Sequence, residues 1–424
     1  MLQKHSYLVV GGLCAALTLR AADTGPQRVT LEEAVAEALQ NNLGLLAERA
    51  NIAIAEARII TARLRPNPVL SAGGDHLDLL GTGFSEVNAA GPSEFNLRTD
   101  FVHERGGKRR SRIEVAEGER SVAEWRFFDA VRSLRLEVQQ AFVEALLAKE
   151  NLALARQNLE MLNRLVEVST ARWRAGDLAE VELIRSRLAA LQQASAVRKA
   201  ELAVRSALIK LQQLMGRERP AAEFDVVGEL AVQRSVPARE ELLRTALENR
   251  PDLGALRRDS QRAAAALKLE LARGKVDFTF GSEYRRQQGI NGTGNMLGFF
   301  FSAPLPLFDR NQGEIARARE ELRQVELRIR ALQAAIASEV GSAYEQFVAS
   351  RNLVEQIQGR MLAQASEVRE ITEYAYRRGE ATLLEFLDAQ RAFNETMQAY
   401  NEARAEYAKS VYLLEAVAGR ELKR

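Results

Sequence analysis

Between Leu305 and Glu321 the chain reads LPLFDRNQGEIARAREE, and its character changes midway. Leu305, Leu307 and Phe308 are large and apolar, with Pro304 and Pro306 among them. After Asn311-Gln312-Gly313 come Ala, Arg and Glu, with apolar positions at helical spacing. Proline ends regular elements because it lacks a donor, and glycine admits backbone that other residues avoid. The stretch reads as a strand ending and a long helix beginning.

Downstream, Ile315, Leu322, Val325, Ile329, Leu332 and Ile336 step by sevens, threes and fours, the spacing of a coiled-coil seam. Val131, Leu134, Val138, Phe142 and Ala145 do nearly the same. The runs from Gly107 to Gly176 and from Gly313 to Gly379 contain no proline and almost no glycine. Each is about 65 residues, hence a rod of about 100 Å at the helical rise.

Upstream, the residues alternate. In SEFNLRTDFV, Phe95, Leu97, Thr99 and Phe101 oppose Asn96, Arg98 and Asp100. In KVDFTFGSEYR, Val276, Phe278, Phe280 and Tyr284 oppose Asp277, Thr279, Glu283 and Arg285. In NMLGFFFSAP, Leu297, Phe299, Phe301 and Ala303 oppose Met296, Gly298, Phe300 and Ser302. PVLSAGGDHLDLL, from Pro68, is a poorer fourth candidate. Ten-residue segments of this kind are what a transmembrane β-barrel uses, lipid on one side and water on the other. A soluble antiparallel sheet packed on helices predicts the same alternation. Two facts favour the membrane: an export signal, and strands set as two hairpins between helices far longer than a small sheet could cover. Four strands cannot close a barrel of useful bore; three chains of four would supply twelve.

The whole plan occurs twice, with an offset of about 205 residues. ALQNN matches ALENR, RAGD at Arg174 matches RRGE at Arg377, and MGRE at Met215 matches AGRE at Ala418. The expected order is a signal peptide at 1–22, then repeat 1 at 29–218: a helix of about 35 residues, two strands about 68–103, a long helix 108–175 and a helix 179–215. A linker at 219–236 precedes repeat 2 at 237–421: helix, strands about 275–304, long helix 313–378, helix 381–418 and a short tail at 422–424. The apolar run Tyr7 to Leu19 is too short to span a bilayer. Cys14 inside it follows Leu13, where a lipid-acceptor cysteine wants a small residue.

Composition narrows the function. Lys plus Arg number 59 against 57 Asp plus Glu, a balance that argues against nucleic acid as a partner. The 3 histidines and 1 cysteine leave little for metal chemistry; His76 and His103 fall in neighbouring strands and could meet, but make a poor site alone. No nucleophile elbow, paired-cysteine motif or nucleotide loop is present, so neither enzyme activity nor a cofactor is expected. The cluster Lys108, Arg109, Arg110 and Arg112 opposes the dipole of the helix it opens, and requires anionic headgroups or paired carboxylates to favour it. Gly176 and Gly379 permit tight turns at the rod ends. Glu385 and Asp388 share one helix face just beyond the second turn.

GGKRRSRIEVAEGE after a strand, RPDL early in the second copy, LPLFDRNQGEIARA and YRRGEATLLEFLDAQR together resemble the outer-membrane efflux protein (TolC-like) family, over essentially the whole mature chain. ERGGKRRSR and the short carboxyl terminus are similar to its cobalt-zinc-cadmium resistance branch. The resemblance implies a homotrimer in the outer membrane extending into the periplasm. Its long coiled-coil helices form an α-barrel continuous with a 12-stranded β-barrel, four strands per chain. Gly106, Gly107, Asn311 and Gly313 become barrel-junction turns; Arg174, Gly176, Arg377, Arg378 and Gly379 become docking turns for a periplasmic adaptor; Glu385 and Asp388 line the periplasmic entrance. The implied role is the exit duct of a tripartite pump with an inner-membrane RND transporter, passing divalent heavy-metal cations. The same channel serving drugs or organic solutes is the alternative. A coiled-coil adaptor or a scaffold without a pore is a second.

Overall fold

A computed structural model describes residues 27–77, 79–81, 93–230, 234–289 and 292–422. The expected signal peptide and Cys14 lie outside them. A short strand β1 (Gln27–Val29) leads to Thr30, whose capping box starts the first helix: its amide donates to Glu33 Oε2 at 2.8 Å, and Glu33 N donates to Thr30 Oγ1 at 3.3 Å.

The single opening helix expected in each repeat is in fact two. In repeat 1, α1 (Leu31–Asn41) and α2 (Leu43–Arg63) break at Asn42; in repeat 2, α5 (Arg239–Asn249) and α6 (Pro251–Arg273) break at Arg250. Pro251 supplies one cause, since the residue before a proline is pushed out of helical backbone. The other is tertiary. The glycine of MGRE, Gly216 at φ +80°, seats against the first break, where a Cβ would fall 2.2 Å from Asn41 O. Gly419 of AGRE sits likewise at Arg250. Asn42 satisfies the gap, donating to Leu214 O at 2.9 Å and accepting from Leu45 N at 3.0 Å.

Two apolar clusters form at these breaks. In one, Ala34, Ala38 and Leu45 pack on Val138, Phe142 and Leu211; in the other, Leu242, Ala246 and Leu253 pack on Ile336, Val340 and Leu414. In the second, Arg250, only 4% exposed, forks onto Asp252 and reaches Glu339. Burial works against the Asp252 carboxylate, but the hydrogen bonds and charge of Arg250 outweigh it and hold its pKa below the ordinary value. β1 pairs in parallel with β4 (Phe224–Val226), closing the first cluster.

The rods leave this centre. α3 (Lys108–Ala175) and α4 (Glu180–Leu214) form one hairpin. The expected continuous helix 313–378 is α7 (Gln312–Gln356), a π turn (Ile357–Met361) and α8 (Leu362–Arg378); α9 (Leu383–Ala418) returns beside it. At 68 residues, α3 spans about 100 Å.

On the other side lies a four-stranded antiparallel sheet in the order β2 (Val69–Asp75), β3 (Glu94–His103), β5 (Phe278–Gly289), β6 (Gly292–Ser302). Its register aligns Phe101, Phe280 and Phe301 across three strands, and Leu97, Tyr284 and Leu297 four residues further along the same face. That apolar face is open: Leu297 is 67% and Phe299 81% exposed. The opposite face is charged and self-paired. Arg98 forks onto Asp100 at 2.9 Å and lies 4.5 Å over the Phe300 ring, and Arg285 bridges Glu283 and Glu94 at 2.9 and 3.5 Å. A soluble sheet would bury the apolar face against its helices; this sheet leaves that face open. Among the described residues no helix is long and apolar enough to cross a membrane.

Candidate functional site

The far end of the rods gathers several of the sequence-selected residues. Leu162 and Leu165 of α3, Ala190 of α4, Tyr376 of α8 and Leu383 and Phe386 of α9 form one apolar cluster, with Tyr376 stacked on Phe386 at 5.5 Å. This cluster brings both hairpin ends together. Each turn is a Schellman closure: Gly176 N donates to Trp173 O and Asp177 N to Arg172 O, and Gly379 N donates to Tyr376 O and Glu380 N to Ala375 O. At φ +85° and +77° both positions favour glycine although the space around them is open. Arg174, Arg377 and Arg378 are exposed around these turns; Arg377 reaches Glu373 at 2.5 Å, and Arg378 lies 4.6 Å over the Tyr374 ring.

Glu385 and Asp388 share a face but not a state. Glu385 closes a capping box: its Oε2 accepts from Thr382 N at 2.7 Å and from Thr382 Oγ1 at 2.9 Å. Those bonds, the backbone one first, hold its pKa below the usual glutamate value. The Asp388 side chain is 59% exposed and has only a loose partner, Arg391 at 3.9 Å. The T-x-x-E signature of this cap is present in ATLLEF and is the same device as Thr30-x-x-Glu33.

At the near end, each β-to-α junction is clamped to the preceding helix. Gly106 and Gly107 have φ +73° and +76°, and Gly107 caps α3. The basic cluster beyond them is satisfied locally. Lys108 pairs with Asp277 at 2.7 Å and Arg112 with Glu104, while Arg109 Nε and Arg112 donate to Arg63 O and Leu64 O at the C-terminal end of α2. Paired carboxylates and the negative end of a neighbouring helix dipole thus explain basic residues at a helix start. Asp277 also accepts from Arg105 N at 2.8 Å, linking the two repeats. At the second junction Asn311, at φ +64°, carries the left-handed turn and donates to Glu270 O and Oε2, both at 2.8 Å. Gly313 lies one residue inside α7 with open space around it.

His76 and His103 do not meet. Asp75 pairs with Glu94 at one end of the sheet and His103 with Phe278 at the other, so antiparallel pairing separates the histidines by about nine residues of strand, roughly 30 Å. Among the described residues no group of three His, Cys, Asp or Glu could hold a metal ion.

These features have counterparts elsewhere. The model of the outer membrane efflux protein family matches residues 34–217 and again 242–420, one match per repeat. The cobalt-zinc-cadmium resistance protein CzcC of Cupriavidus metallidurans is 26% identical over 91% of both chains. The nickel and cobalt resistance protein CnrC of the same organism is 25% identical over 69% of this chain and 68% of its own. Among solved structures, CusC, described in terms of transmembrane channel formation, superposes with a TM-score of 0.77 at 19% identity over 96% of both chains. With the lipid-type sheet, the paired rods and the twofold match, the chain belongs to the outer membrane efflux protein family: a channel protein of the outer membrane with helices reaching into the periplasm.

Proposed function

We propose that three copies of this chain form the exit duct of a tripartite pump for divalent heavy-metal cations. The observation that carries the duct is the sheet: apolar and open on one face, charged on the other, and joined at both junctions to rods of about 100 Å. One chain supplies four strands with two free edges, β2 and β6. Threefold closure removes both edges and gives a 12-stranded wall whose charged face lines water.

In this assembly the rods of three chains form a tapering α-barrel with the turns at Gly176 and Gly379 at its periplasmic end. Arg174, Arg377 and Arg378 are offered there to a periplasmic adaptor, which links the duct to an inner-membrane RND transporter. Asp388 carries the entrance charge, because its carboxylate is exposed and only loosely partnered by Arg391, while that of Glu385 is engaged in its helix cap. Repeated threefold, such carboxylates attract cations and repel anions. The metal reading draws on the resistance proteins that the chain resembles along its length. Conduction is passive, and the junction turns at Gly106, Gly107, Asn311 and Gly313 join the two walls.

A strain lacking the gene tests this across zinc, cobalt, cadmium, nickel, copper and hydrophobic drugs. The expected result is sensitivity to one or a few divalent metals, rescued by the intact gene and less well by Asp388→Ala. Sensitivity to drugs alone would keep the channel and discard the metals.

A further inference from the structure

All four strands have their helix-side ends along one rim of the sheet, at Val69, His103, Phe278 and Ser302. Each of the four connections leaving that rim carries an exposed cation: Arg65, Arg105, Lys275 and Arg310. The carboxylates nearby in sequence are engaged elsewhere. Glu104 holds Arg112, Asp277 holds Lys108, and Asp309 accepts from Asn311 N at 2.8 Å. Among the described residues none of the four cations is paired with an acid.

Two contacts show which way this rim faces. The Arg105 guanidinium lies 4.2 Å over the ring of Phe278, and Phe278 packs edge-on against Phe301 at 5.2 Å on the apolar, outward face. Arg310 Nε donates to Pro306 O at 3.2 Å, inside the loop that presents Leu305, Leu307 and Phe308, the last 89% exposed. Cations and aromatic rings at the edge of a lipid-facing surface occupy the headgroup level.

We infer that this rim is a binding surface for the phosphate groups of anionic phospholipid, with Arg65, Arg105, Lys275 and Arg310 as its contacts. It rests on the membrane-spanning reading above. Guanidinium and ammonium groups donate to phosphate oxygens with charge assistance. Spread over four connections, they match a row of headgroups in a leaflet rather than one free phosphate. The belt sets the depth at which the wall sits, holding the β-to-α junctions at the periplasmic surface.

Native mass spectrometry of the detergent-solubilised protein with equal phosphatidylglycerol and phosphatidylcholine reads the preference, and flotation with phosphatidylcholine vesicles reads insertion. The intact protein should float and retain phosphatidylglycerol preferentially. Each cation removed should weaken that retention about fivefold. The variant Arg65→Gln, Arg105→Gln, Lys275→Gln, Arg310→Gln should float but lose the preference, whereas Arg65→Lys, Arg105→Lys, Arg310→Lys should keep it. Unchanged preference in the glutamine variant, loss of it in the lysine variant, or no preference in an intact protein that floats would overturn the belt alone. An intact protein that does not float would overturn the belt together with the membrane reading.

Discussion

Replacing Leu297 by arginine places a charge at the centre of β6 on its open face. β6 runs eleven residues from Gly292, and Leu297 is its sixth. Eleven residues make about 36 Å of strand, or about 26 Å of height at a 45° tilt, close to the apolar band of such a wall. Leu297, opposite Tyr284 and 67% exposed, would lie near the bilayer midplane in the proposed wall. An arginine there costs about 2–4 kcal/mol per chain, roughly 30-fold to several-hundred-fold in the folded fraction. The neighbouring Met296→Arg points to the charged face and should cost no more than about 0.5 kcal/mol. Urea unfolding from lipid vesicles gives both values. Equal costs for the two substitutions, or a neutral Leu297→Arg, would refute the assignment of faces.

Four further substitutions probe the parts that hold the rods. Arg250→Met leaves Asp252 and Glu339 without their buried partner and should cost about 3–5 kcal/mol of unfolding free energy, read from the shift of the chemical unfolding midpoint. Gly379→Ala forces a Cβ into left-handed backbone and should cost about 1 kcal/mol, despite open space around it; the same loss is expected for Gly176→Ala. Because the Glu385 pKa is lowered in the folded chain, its contribution is present above the ordinary glutamate pKa and is lost as pH falls through the depressed value. Amide exchange at the start of α9 should therefore speed up in acid, and Glu385→Gln should remove that pH dependence.

The junction at Leu305–Glu321 and the strand faces were legible because each is a local pattern: proline before a coiled-coil seam, and a two-residue alternation with unlike faces. The breaks in the opening helices divide differently. Arg250-Pro251 carries its own signal, whereas Asn42 breaks the helix through Leu214 O, 172 residues away, and through Gly216. The cap at Thr382 is written in the sequence as T-x-x-E, and the spacing of Glu385 and Asp388 alone hides it. Which acid holds a helix and which stays exposed is decided by hydrogen bonds, not by spacing. The fate of the basic cluster was out of reach for the same reason. Lys108 meets Asp277 only because β3 pairs with β5, and that pairing joins the two repeats.

In the proposed assembly one chain holds a third of a wall and three chains close it. The mass of the detergent-solubilised protein, with the bound detergent subtracted, measures this directly. Three chains per particle and insolubility without detergent are expected. A monomer that stays in solution without detergent would contradict that assembly.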